Sequence, residues 1–172
     1  MMSDTELLEE VKRGKIKKYG EIVERYMKQA YSVALYFTGD THLAWDVSQE
    51  AFLRVLKSIK KFDTSRPFFP YLYSVIKNLV TSMRRKREDY FEDIVVLVDD
   101  DPQKALEKME EIESLKRAID TLDKKDREII FLRHFSNMSY KEISELLNIP
   151  IGSVMSRLYY ARKKLMEKMK NE

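Results

Sequence analysis

Residues 139–154 read SYKEISELLNIPIGSV, and their pattern predicts a helix, a tight turn and the start of a second helix. Ser139 and Glu142 have the S-x-x-E spacing of a capping box, in which the two side chains bond backbone N–H groups at the start of a helix. Asn148 suits the left-handed conformation that ends a helix, and residues 149–152 (IPIG) turn the chain. Together these signals predict a helix-turn-helix motif.

The second predicted helix begins near Ser153 and places Val154, Leu158, Ala161 and Leu165 on one apolar stripe. Arg bonds guanine through two hydrogen bonds, Ser bonds bases or phosphates, and Lys neutralises phosphate, so the outward face of this helix suits the major groove. The residues expected to contact DNA are Ser153, Met155, Ser156, Arg157, Tyr159, Tyr160, Arg162 and Lys163. The alternative interpretation is the solvated face of a structural helical hairpin.

Helical periodicity also dominates residues 1–89, where apolar residues recur at spacings of three and four. The apolar stripes lie in residues 7–11, 22–37, 44–59 and 68–83. Residues 60–66 read as a loop, and Pro67 suits the first turn of the helix that follows, where its missing N–H costs nothing. This pattern predicts a helical bundle that buries the stripes in one core.

Residues 90–108 are expected to be an acidic, flexible linker. From Glu88 to Asp101 the sequence holds seven acidic residues and no Lys or Arg. The β-branched run at residues 94–98 has no partner strand elsewhere, which favours an extended linker over a strand. The predicted fold is therefore all-α, with one small helical domain at residues 1–89 and a second at residues 109–172.

Composition narrows the function classes. The chain of 172 residues has only four Gly and four Pro, which favours helices, and it has no Cys, which suits a reducing cytoplasm. It lacks an apolar run long enough for a membrane span and its first ten residues are unlike a signal peptide, so we expect a cytoplasmic protein without membrane insertion. His42 and His134 stand in unrelated helices, and no glycine-rich phosphate loop or metal-ligand cluster occurs. We therefore expect no enzyme activity, no catalytic residue, no cofactor and no metal.

Basic residues are concentrated in two places although the net charge is only +3. Residues 84–87 are four consecutive cations, and Lys and Arg crowd residues 157–170. An acidic segment separates these two surfaces. The distribution predicts two contacts with a polyanion, joined by a segment that avoids both.

Four stretches, in this order along the chain, resemble the sigma-70 family of bacterial RNA polymerase sigma factors, and in particular its extracytoplasmic-function group. Residues 46–52 match the Asp-x-x-Gln-Glu motif of the family's region 2, and residues 71–85 are similar to its promoter-melting helix. Residues 123–133 and 146–162 resemble the family's region 4. The resemblance implies a region 2 domain that binds core polymerase and the −10 element, and a region 4 domain that binds the −35 element.

The resemblance implies a partner for the polar residues of the Asp-x-x-Gln-Glu motif. Asp46, Gln49 and Glu50 have the spacing i, i+3 and i+4, so they share one helix face. The family uses this face, here with Arg54, to bind the β and β′ subunits of core RNA polymerase. Spacing alone would equally suit a solvated acidic face.

The resemblance also implies that double-stranded promoter DNA is read at −35 and that single-stranded DNA is captured at −10. Aromatic rings stack on exposed bases and cations hold the backbone. The residues implied at the −10 element are Lys57, Lys60, Lys61, Arg66, Tyr71, Ser74, Lys77, Asn78, Arg84, Arg85 and Arg87.

The chain departs from its relatives at several reading positions. Relatives commonly carry Lys or Arg in place of Met155, Arg in place of Tyr160 and Trp in place of Tyr71, so the preferred promoter is expected to differ from the usual one. An anti-sigma factor is a usual partner in the group. The alternative function is a stand-alone helix-turn-helix regulator that acts without core polymerase.

Overall fold

A computed structural model of the protein describes residues 2–86, Leu115 and residues 117–170, and gives no side-chain placement for residues 84–86 and 170. The chain divides into two compact units, Met1–Asp93 and Ile94–Glu172. Regular structure in the described residues is entirely helical, which confirms the all-α prediction. The predicted linker, residues 90–108, lies outside the described residues, and so do the domain boundaries predicted beside it.

The N-terminal unit is a bundle of helices. In residues 2–86 these are α1 (Asp4–Lys12), α2 (Tyr19–Thr38), α3 (Thr41–Ser58) and α4 (Phe68–Lys86), with short 3₁₀ turns at Ile16–Lys18 and Ile59–Lys61. Helices α2, α3 and α4 pack against one another, and α1 packs against α2. The fully buried side chains at their centre include Ile22, Ala30, Val33, Val47, Ala51, Val55, Leu72 and Ile76. The apolar stripes read from the sequence thus form the core.

The corner between α2 and α3 is set by local chemistry. Gly39 ends α2 with a φ of 67°, a left-handed conformation that costs glycine little. The Asp40 carboxylate then accepts a hydrogen bond from the backbone N–H of Leu43 at 2.7 Å and caps α3. This corner fixes which face of α3 turns towards solvent.

The C-terminal unit contains the predicted helix-turn-helix. Within residues 117–170, α5 (Lys124–Ile130) continues into a π-helical turn (Phe131–Phe135) and is followed by α6 (Tyr140–Leu147) and α7 (Ile151–Lys170). The capping box of Ser139 and Glu142 is present, and Asn148 has a φ of 52° at the end of α6. Both local predictions are confirmed.

Helix α7 starts at Ile151, two residues before the predicted start at Ser153. The carbonyl of Pro150 accepts hydrogen bonds from the backbone N–H groups of Ser153 (2.9 Å) and Val154 (3.1 Å). Pro150 is thus the N-cap residue, whose carbonyl accepts the first hydrogen bonds of the helix. Ile151 and Gly152 therefore belong to α7 and not to the turn that the sequence predicts.

One ion pair joins α5 to α7. The Lys164 ammonium lies 2.6 Å from a carboxylate oxygen of Asp126, whose side chain is largely buried. This contact raises the pKa of Lys164, chiefly through its hydrogen bond to Asp126. Lys164 is therefore engaged within the unit and is not a free cation for DNA.

We predict that Ser139→Ala lowers the free energy of unfolding of the C-terminal unit by about 1 kcal/mol, because the first turn of α6 loses its cap. Urea denaturation of the full chain, followed by circular dichroism, measures the change. Lys141→Ala is the matched control, since Lys141 is exposed on the same helix and Ala is a good helix former. Equal losses in the two variants would contradict the capping role.

Candidate functional site

The outward face of α7 carries the residues predicted to contact DNA. Val154, Leu158, Ala161 and Leu165 are buried and turn the opposite side of the helix to solvent. Met155, Tyr159 and Tyr160 are exposed by 53, 63 and 59%, and Ser156 and Lys163 are exposed beside them. Ser153, Arg157 and Arg162 are partly buried at the margins. The eight predicted residues therefore lie on one exposed face and its margins.

Arg162 is held in place by a histidine that the sequence analysis did not assign to the site. Its Nε donates to Nε2 of His134 across 3.2 Å, and a second guanidinium nitrogen lies 3.1 Å from the same atom. His134 is exposed, but partial desolvation of its imidazole lowers the pKa of His134, and the charges of Arg162 and Arg133 lower it further. A neutral ring keeps the lone pair that accepts from Arg162, so His134 is a positioning residue for this cation.

The predicted polymerase-binding residues share the outward face of α3. Asp46 and Gln49 are exposed, and Nε of Arg54 lies 2.8 Å from a carboxylate oxygen of Glu50. The hydrogen bond from Arg54 lowers the pKa of Glu50 and favours its ionised form. The face therefore presents acidic and amide groups to solvent, with Glu50 paired to Arg54.

Two apolar residues on the same face were missed. Trp45 and Leu53 are exposed by 47 and 52%, and their spacing of four from Gln49 places all three on one line along α3. Exposed large apolar side chains next to polar ones are typical of protein interfaces. The spacing of positions 45, 49 and 53 is visible in the sequence, but their exposure follows only from the packing of α3.

The residues predicted for the −10 element lie at the end of α3, in the loop after it and along α4. Lys57, Lys60, Lys61, Arg66 and Asn78 are exposed, while Lys77 is partly buried with its ammonium 6.0 Å from the centre of the Tyr73 ring. The side chains of Arg84 and Arg85, and the whole of Arg87, lie outside the described residues.

Tyr71 and Ser74 are engaged within the bundle. The Tyr71 hydroxyl lies 2.8 Å from the hydroxyl of Ser58, and its ring stacks on Phe62 with 4.6 Å between centroids. Ser74 donates to the carbonyl of Pro70 at 2.9 Å. One face of the Tyr71 ring is thus covered by Phe62, which limits how it can stack on a base.

Helix α1 supports the loop that carries Arg66, a contact that the sequence did not predict. The hydroxyl of Thr5 donates to the carbonyl of Thr64 at 3.2 Å, and the hydroxyl of Thr64 bonds the carboxylate of Glu9. Within the loop, the Asp63 carboxylate accepts from the backbone N–H of Ser65 at 3.0 Å. These bonds give the loop a defined shape before any ligand binds.

In the part of the chain that the structure describes, no helix is long and apolar enough to cross a membrane. The same residues contain no group of three or more His, Asp or Glu side chains that could hold a metal ion.

Comparison with known proteins gives two family matches. Residues 22–89 match the family model for Sigma-70 region 2, and residues 112–165 match the model for Sigma-70, region 4. The chain is 31% identical over 178 aligned residues to the ECF RNA polymerase sigma factor SigW of Bacillus subtilis, covering 95% of each protein. It is 27% identical to the ECF RNA polymerase sigma-E factor of Escherichia coli K12, covering 98% of this chain and 95% of the relative.

Two solved structures resemble the fold. CnrH, in complex with the cytosolic domain of CnrY, matches with a TM-score of 0.73 and 24% identity, covering 98% of both chains. The sigma factor RpoE of Bartonella quintana, in complex with the anti-sigma factor NepR, matches with a TM-score of 0.70 and 20% identity. That match covers 90% of this chain and 98% of RpoE. At these identities the likeness concerns the fold alone.

We predict that His134 makes the C-terminal unit less stable as the pH falls from about 7.5 to 5.5. Its folded pKa is lower than the ordinary value of 6.5, so the unfolded chain binds the proton more tightly. The stability contributed by neutral His134 is complete above pH 6.5 and is lost as the pH falls towards the lower folded pKa. Urea denaturation at both pH values measures the loss.

His134→Gln should remove this part of the pH dependence, and His42→Gln is the control, since His42 is exposed on α3. The chosen pH range lies above the ordinary pKa values of Asp and Glu, which limits their contribution. An unchanged pH dependence in His134→Gln would contradict the assigned role.

Proposed function

This chain belongs to the extracytoplasmic-function group of the sigma-70 family, and we propose that it is the subunit that brings bacterial core RNA polymerase to its promoters. The observation that carries the proposal is the presence of both family regions in order, each with an exposed face of suitable chemistry. The acidic and apolar face of α3 suits a protein partner, and the face of α7 suits duplex DNA. The subunit itself acts by binding and catalyses no reaction.

Core polymerase binds, in this proposal, to the face of α3 formed by Trp45, Asp46, Gln49, Glu50, Leu53 and Arg54. The two exposed apolar side chains supply area that is removed from water on binding. The carboxylates supply charge that fixes the register with a basic partner surface. The β and β′ subunits are the proposed partners.

Promoter DNA is then bound at two places. The face of α7 lies in the major groove of the −35 element, where the N-terminal part of a reading helix meets the base edges. At the −10 element the cations around the end of α3 and the loop hold the backbone of the separated strand. Flipping a base costs a few kcal/mol in lost pairing and stacking, so a preformed loop that needs little ordering favours melting.

An anti-sigma factor is the proposed regulatory partner. Support comes from the sigma factor RpoE, which shares the fold and was solved together with the anti-sigma factor NepR. A protein that covers the α3 face would exclude core polymerase by occupying the same side chains.

We predict that run-off transcription with bacterial core polymerase, on fragmented DNA from the source genome, gives discrete start sites only when this protein is added. Changing Asp46, Gln49 and Glu50 together to Ala should lower the yield at limiting core polymerase by about tenfold or more, because central interface residues dominate binding. The control is Glu24→Ala with Glu145→Ala, since both carboxylates are exposed and lie outside the proposed surfaces.

Specific binding to duplex DNA by the protein alone, without any effect on transcription by core polymerase, would contradict the proposal. That outcome would instead support the stand-alone helix-turn-helix regulator.

A further inference from the structure

The base-reading part of α7 is apolar and aromatic where a basic surface would be expected. In the first ten residues of the helix, 151–160, Arg157 is the only cation, and it is partly buried. On the outward face there, Met155, Tyr159 and Tyr160 are large exposed side chains. Neighbouring exposed apolar side chains are typical of binding surfaces, so the face suits a partner with apolar features.

The cations beside this face favour a partner that is also an anion. Lys163 and Lys168 are exposed on the turns that follow, where the Lys163 ammonium lies 3.9 Å from a carboxylate oxygen of Glu167. Arg162 stands at the margin of the face against His134. A helix that is apolar in its first half and cationic in its second fits the major groove of DNA, where phosphates flank the base edges. The one apolar group on those edges is the C5 methyl group of thymine.

We propose that Met155 reads a thymine in the −35 element by contact with its C5 methyl group. The inference rests on the proposed function, because it requires α7 to lie in the major groove. Met155 is the fifth residue of α7, within the part of a reading helix that contacts base edges. Tyr140 at the start of α6 and Tyr159 line a groove together with Met155, so the methyl group would meet apolar side chains there. The groove is also lined by Met166, Arg162, Lys163 and Glu167.

Alternative positions of Met155 against DNA are less favourable. A methionine next to a phosphate would remove water from the anion and return no hydrogen bond. Against guanine, the side chain would leave two acceptors unpaired in the groove. Methionine is unbranched and flexible, so it can follow a methyl group without strain in the helix. Thymine is therefore the base at which this residue gains most.

The test uses the full chain assembled with core polymerase. A pool of duplexes with a randomised −35 segment is selected on this holoenzyme, and each thymine of the enriched sequence is then replaced by deoxyuridine, which differs by the single methyl group. For the wild type we expect one position at which the replacement weakens binding about fourfold, the effect of exposing one buried methyl group. Competition binding at fixed salt measures it.

The same replacement in Met155→Ala should weaken binding by less than about twofold, because the partner of the methyl group is already gone. Met169→Ala is the matched control, since Met169 is also exposed further along α7 and does not line the groove, and it should keep the full effect. An enriched −35 sequence without a sensitive thymine, or an equal uracil effect in wild type and Met155→Ala, would overturn the inference while the proposed function stands. If the holoenzyme enriches no sequence at all, the proposed function fails and the inference fails with it.

Discussion

Burial of one apolar stripe on α3 and of another on α7 is the constraint on which the rest of the structure depends. In α7 the burial of Val154 and Leu158 leaves the opposite side to Met155 and Tyr159, because the helix has 3.6 residues per turn. In α3 the burial of Val47 in the same way turns Asp46, Gln49 and the neighbouring apolar side chains outward. Core packing therefore sets the two surfaces that we assign to partners, and a change of register in either helix would remove both the core and the site.

Charges on the C-terminal unit divide into two kinds. Lys164 is used structurally against Asp126, and Arg162 is oriented by His134. Breaking the partly buried pair by removing one partner would leave a charge without compensation, which costs more than the loss of an exposed pair. The cations left for DNA are fewer than the sequence implied. We therefore expect −35 binding to depend less on salt, and contacts with bases to supply a larger share of the binding free energy.

Sequence reasoning gave the local structure more readily than the contacts between helices. The capping box at Ser139 and the left-handed Asn148 are local signals, and both are confirmed, as is membership of the sigma-70 family. Helix α7 begins at Ile151, two residues before the position expected near Ser153, because the carbonyl of Pro150 accepts the first bonds of the helix. The stacking of Tyr71 on Phe62 and the bond between His134 and Arg162 join residues that are distant in sequence. No local pattern predicts such contacts, since they depend on how the helices pack.

Photocrosslinking in the complex of core polymerase, this protein and promoter DNA tests whether the α3 face binds polymerase and the α7 face binds DNA. A benzophenone amino acid is placed at position 49 on α3 in one variant and at position 155 on α7 in a second. A third variant carries it at the exposed position 28 on α2. We expect that position 49 crosslinks to β or β′ and that position 155 crosslinks to duplex DNA at the −35 element. Position 28 should give neither product. Crosslinks from position 49 to DNA, or from position 155 to polymerase alone, would contradict this assignment of the two faces.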